Sequence, residues 1–180
     1  MLQLLRAHVG DARKGHRVIQ HINLKIFVTD ATSIDLADAV GVFHRWIKES
    51  LCPEMLIDVA DYRHVPAGPG VMLIAHEANY SLDNRGLSYN RKEVVEGDAL
   101  KQAHEAALAA CDRLENEPVF QGKLKFDRNR IEVAVNDRLL APNNEETWQT
   151  LKPELQKHFP GATINRKGEP RDLFRVAITT

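Results

Sequence analysis

Seven side chains able to hold or move a proton fall between Leu56 and Tyr80 (LIDVADYRHVPAGPGVMLIAHEANY): Asp58, Asp61, Tyr62, His64, His76, Glu77 and Tyr80. Imidazole and carboxylate groups in such company supply general bases and divalent-metal ligands, and tyrosines add hydrogen bonds to polar ligands. Position along the chain decides which of them can act together. MLIDVAD and VMLIAHEANY read as two strands of a hairpin, joined by HVPAGPG, whose two prolines and two glycines interrupt regular structure. Closing the hairpin with residues 61 to 70 sets Asp61 opposite Gly70, Asp58 opposite Leu73 and His76 opposite Met55. At about 3.3 Å per residue, His76 then lies roughly 15 Å or more from the loop that holds His64, so the seven groups form two end clusters.

At the loop end, Asp30 and Thr32 are expected beside Asp61, Tyr62, Arg63 and His64. At the other end, His21 is expected beside His76, Glu77 and Tyr80, with Cys52 and Arg85 as neighbours. Successive residues of a regular strand point to opposite faces, so His76 and Glu77 can share a site only at a bulge or a strand end. Asp58 interrupts the apolar run MLIDVA, where an ionised carboxylate must face water, an arginine or a ligand. The candidate catalytic set is therefore His76, Glu77 and Asp58, and the candidate ligand-binding set is Asp61, His64, Tyr80 and Arg85. No cofactor motif is present and no metal-ligand set is specified, although a divalent metal would suit a His-Glu pair beside a second His.

The elements that position these groups are legible from periodicity. Ile22, Leu24, Ile26 and Val28 alternate with Asn23, Lys25 and Phe27, the pattern of a half-buried strand. Thr32-Ser33 with Asp35 resembles a capping box for a helix that places Leu36, Val40, Phe43 and Ile47 on one face and stops near Ser50 to Pro53. In that helix Phe43-His44-Arg45-Trp46 reads as a core aromatic beside surface cations. GLSYNRK adds a short strand after a polar turn, and Gly97-Asp98 opens a second helix with Leu100, Ala103, Ala107, Cys111 and Leu114 inward. A strand over Val119 to Phe126 would complete a ferredoxin-like β-α-β-β-α-β unit. The remainder reads β-α-β-β: a hairpin about Asp127 to Arg130, a helix near Asn144 to Phe159 capped by Asn144, and two strands around Gly168-Glu169-Pro170. Pro153 predicts a kink in that last helix, or a start near Thr150.

The fold class expected is α+β, an antiparallel (mixed) sheet with helices mainly on one face. Residues 1–20 form an N-terminal extension, and 21–180 a single domain or two fused subdomains, 21–126 and 127–180. A chain of 180 residues can bury a core without staples, and its two cysteines, Cys52 and Cys111, build neither a disulfide framework nor a zinc ribbon. With 24 Lys and Arg against 25 Asp and Glu, the broad positive field of a nucleic-acid binder is missing. No apolar run spans a bilayer, and Arg6 interrupts the opening MLQLLRAHVG, so neither a membrane segment nor a secretory leader is expected. PAGPG leads into a strand and lacks the pattern of a phosphate-binding loop, and neither GxSxG nor HExxH occurs.

These features point to a cytoplasmic binding protein that recognises a partner protein or a small polar ligand at one end of the central hairpin. The alternatives are a metal-assisted or general-base hydrolase centred on His76 and Glu77, and a structural homo-oligomeric subunit. A homo-oligomer is also expected because residues such as Phe27 face away from the helices.

Overall fold

The computed structural model describes residues 19–29 and 34–180; Asp30, Thr32, Ser33 and all but the last two residues of the expected N-terminal extension lie outside them. Alternation works as expected in β1 (Ile22–Val28), where Ile22, Leu24, Ile26 and Val28 are buried. The chain continues through α1 (Ala37–Glu49), β2 (Leu56–Asp61), β3 (Val71–Ala75), β4 (Ala78–Asp83), β5 (Gly86–Arg91) and α2 (Ala99–Glu115). It ends with β6 (Phe126–Val135), α3 (Glu145–His158), β7 (Thr163–Lys167) and β8 (Phe174–Thr179). The eight strands form one antiparallel sheet in the order β2-β3-β4-β5-β1-β6-β8-β7.

All three helices contribute to a single apolar cluster with the inward residues of the strands. α1 lies against β2 and β3, α2 against β1 and β5, and α3 against β7. The caps are those the residue types favour: Asp98 accepts from the Lys101 N–H at 2.9 Å and Asn144 from the Thr147 N–H at 2.9 Å. Pro153 is accommodated inside α3, which does begin directly after Asn144. The inward stripe of α2 is the expected one, from Leu100 to Leu114. That of α1 is rotated: Ala39, Val42, Phe43 and Trp46 are buried, while Val40 and Ile47 are only partly so. The indole of Trp46 can be buried because its N–H donates to the buried Glu117 at 2.7 Å.

The sheet is larger than the expected pattern for two reasons. VMLIAHEANY is two strands, because the chain reverses at His76-Glu77, where no glycine or proline announces a turn. Four consecutive strands, β2 to β5, therefore form a meander on one side of β1, and the four-stranded ferredoxin-like unit is not what forms. Val119 to Phe126, expected as a strand, is mostly turn, with Phe120 buried as its anchor. Asp127 to Arg130, expected to close a hairpin, instead lies within the single strand β6. The register against β1 jumps from Ile26↔Ile131 to Phe27↔Asp127, so these residues are absorbed in a bulge. Arg128 fixes that bulge through Glu115 at 2.6 Å and Asp112 at 2.6 Å.

The β2–β3 hairpin pairs Asp61 with Val71 and Asp58 with Ile74, one residue beyond the expected register, because the Tyr62 N–H closes the loop on the Gly70 carbonyl at 2.8 Å. Gly70 has φ 73°, and a Cβ there would collide with the Leu82 carbonyl of β4. On the face away from the helices, Lys25 is buried and pairs with Asp83 at 2.5 Å. Phe27 lies on that face too, covered by the Arg130 guanidinium 4.7 Å from its ring centroid. The ring that suggested a second copy is thus already capped by its own chain.

Candidate functional site

Tyr80 and Tyr89 are directly opposite each other on β4 and β5, both on the core face by strand alternation. Their rings meet edge to face with centroids 5.1 Å apart. Both hydroxyls converge on one carboxylate, Glu54, in the turn that Pro53 begins after α1: Tyr80 donates at 2.6 Å and Tyr89 at 2.8 Å, one to each oxygen. Glu54 is 8 % exposed, and a carboxylate so buried is tolerable only with such partners. Arg91, two residues past Tyr89 and on the same side of β5, donates to the Tyr89 hydroxyl at 2.9 Å. The result is a chain of polar contacts from Tyr80 through Glu54 and Tyr89 to Arg91.

This chain floors a cavity of about 440 Å³. One wall is the turn Leu51–Glu54, and another is Glu77 in the β3–β4 turn. The roof is a stripe of α2: Gln102, Glu105, Ala106, Ala109, Ala110 and Arg113, residues spaced by three or four and so on one helical face. Small alanines leave the space open. Arg113 lies over the Trp46 ring, 5.5 Å from its centroid. Burial, and then the Glu54 carboxylate, push the Cys52 thiol up to about 11. Burial and the bond to Glu54 likewise push Tyr80 upward, and burial does the same to Tyr89, so both remain protonated donors. The Met55 N–H, donating at 2.9 Å, holds Glu77 below the usual carboxylate range.

Of the residues singled out from sequence, Tyr80, Glu77 and Cys52 come together in this cavity. His76 is not among the residues that line it: it is exposed, its N–H donates to the Met55 carbonyl at 2.9 Å, and its Nδ1 is 3.9 Å from Glu77 Oε1. Because the chain turns here, neighbours 76 and 77 need not face opposite ways. His21 does not line the cavity; β5 and β4 separate its strand from the β3–β4 turn. Asp58 is exposed on the edge strand β2, away from the cavity, with its own neighbour Val59 donating to it at 2.8 Å.

Arg85 is at the opposite end of the sheet, 3.6 Å from Asp83. There it lines a second cavity of about 430 Å³ with Tyr62 and Arg63, bounded by the PAGPG loop. Asp61 pairs with Arg63 at 2.7 Å, and those bonds hold its carboxyl down to about 2; His64 is exposed in the same loop. Among the described residues, no three His, Cys, Asp or Glu side chains converge as metal ligands would.

Sequence reasoning missed Glu54, Tyr89, Arg91 and Arg113. Alternation in GLSYNR does place Tyr89 and Arg91 on one side, and the spacing 102, 105, 106, 109, 113 marks a second stripe of α2. Nothing local distinguishes Glu54 from any acid after a proline. No family model, no curated protein and no solved structure matches the chain.

Proposed function

We propose that this is a cytoplasmic binding protein that takes a small polar ligand in the cavity at the His76 end of the β2–β3 hairpin. One observation carries the reading: a buried carboxylate, locked by two tyrosines and extended by an arginine, floors an open space of about 440 Å³. That volume lies in the range of small-molecule sites, which join an apolar lining to a few convergent polar groups. The cavity at the Arg85 end is similar in volume, but its two arginines, Arg63 and Arg85, are exposed and already lie beside Asp61 and Asp83.

The test is retention of a small molecule. Protein dialysed against a metabolite extract is washed and denatured, and the released compounds are identified by mass spectrometry. An Ala109→Trp variant, which fills the roof, serves as the comparison. A compound retained by the parent chain and lost from the folded variant is expected; equal retention by both would sink the reading. The 3.9 Å His76–Glu77 pair favours a hydrolytic role as the second reading. It requires that the retained compound be turned over, and that His76→Ala abolish turnover while leaving retention intact.

A further inference from the structure

We propose that the ligand is a small organic monoanion, a carboxylate on a short apolar body, whose charge is met by Arg91 and Arg113. This rests on the cavity being the ligand site and specifies what it takes. The assignment follows from the hydrogen bonds that each group in the cavity already makes. Both Glu54 oxygens accept tyrosine hydroxyls, Glu77 Oε2 accepts the Met55 N–H, and Glu105 turns outward to Lys101 at 3.8 Å.

The two arginines stand differently. Arg91 bonds only neutral acceptors, the Tyr89 hydroxyl and the Glu93 carbonyl at 3.1 Å, and Arg113 rests on the Trp46 ring. Neither lies within 4 Å of a carboxylate among the described residues, whereas Arg45, Arg128, Arg166 and Arg175 each do. A guanidinium presents five donors, so both cations retain free donors toward the cavity. Carboxylate is the planar acceptor that matches that fork.

The same lining limits the charge that a ligand can bring. With Glu105 turned out to Lys101, Glu54 and Glu77 balance Arg91 and Arg113, a sum of zero before a ligand enters. A doubly charged phosphate would leave more uncompensated charge in the site than a singly charged carboxylate. Leu51, Pro53 and the alanines of α2 supply an apolar wall for the remainder of the molecule.

The experiment titrates the full chain with hexanoate, hexanamide, hexylammonium and inorganic phosphate, followed by two-dimensional amide NMR. Hexanoate is expected to shift the amides of residues 89–91 and 106–113, with an affinity at least about tenfold above that of the other three. Arg113→Met and Arg91→Met should each weaken hexanoate by about tenfold or more while leaving any hexanamide binding unchanged. The comparison of the four probes on the parent chain stands even if a variant folds poorly. Hexanamide, hexylammonium or phosphate shifting the same amides as tightly as hexanoate would overturn the anion assignment and leave the cavity reading in place. Hexanoate failing to move those amides would also overturn the assignment. Shifts that persist in Ala109→Trp would instead defeat the cavity reading.

Discussion

Replacing Tyr80 with phenylalanine removes one hydroxyl and almost no volume, which isolates the bond on which the buried acid depends. That hydroxyl donates at 2.6 Å to a residue only 8 % exposed, so in the variant Glu54 Oε2 loses its protein partner. Hydrogen bonds to charged acceptors contribute about 1.5–3 kcal/mol, and this is the expected loss of stability. For a chain of this length each kcal/mol lowers the melting midpoint by about 2–4 °C, so a drop of about 3–12 °C should accompany it. Urea unfolding followed by circular dichroism, with Tyr62→Phe as a control, measures the difference. Tyr62 is 39 % exposed, and its hydroxyl has no protein partner among the described residues, so the control should stay within about 0.5 kcal/mol of the parent. A Tyr80→Phe loss equally small would refute the argument that the tyrosine pair sustains the charge.

Acidification should weaken the α2–α3 contact. His104 Nδ1 and His158 Nε2 are 3.0 Å apart, and one must stay unprotonated to accept from the other. Burial lowers both below the ordinary histidine value; His158 adds to the effect on His104 and Lys101 to that on His158, against Glu105 and Asp98. The unfolded chain therefore takes up protons near pH 6.5 that the folded chain refuses, and stability is full above that pH and falls below it. Urea midpoints measured from about pH 7.5 to 5 should decline in the parent and decline less in His104→Phe; a rise on acidification in the parent would contradict the sign. Cys52, with its thiol near 11, should be roughly a thousandth thiolate at pH 8 and alkylate far more slowly than a free cysteine, with a rate still climbing above pH 9. Timed iodoacetamide labelling read by mass spectrometry checks this, and a plateau below pH 9 would count against it.

The parts of the fold that were legible are those where one physical preference acts alone. The period of two in β1, the inward stripe of α2, and the Asp98 and Asn144 caps follow from residue type and spacing, whatever the rest of the chain does. The parts that were not legible depend on distant partners. The reversal at His76-Glu77 is held by Met55, which takes the His76 N–H and gives its own N–H to Glu77. The residues 127–130 look like a turn until Glu115 and Asp112 anchor Arg128 and β1 runs past them. The cavity shows the same division. Tyr80 and Glu77 stood out by type, but Glu54 acquires its role only when the turn after α1 folds over β4 and β5, and Arg113 only when α2 lies across them.

The edge position of Asp58 gives that carboxylate a further meaning. β2 is one of the two outermost strands of the sheet, and Met55 just before it and Ile57 within it are 61 % and 56 % exposed. An outer strand with apolar side chains and unpaired backbone groups is a template on which another copy can lay a strand of its own. Here the ladder is interrupted by the irregularity at Ile57, and a solvated charge follows immediately at Asp58. With a neutral residue at that point, Leu56 to Ala60 would form an uninterrupted apolar ribbon along the rim. The acid that seemed out of place in a core strand thus sets a solvated charge on the border of the sheet, where such a charge disfavours the addition of a further strand.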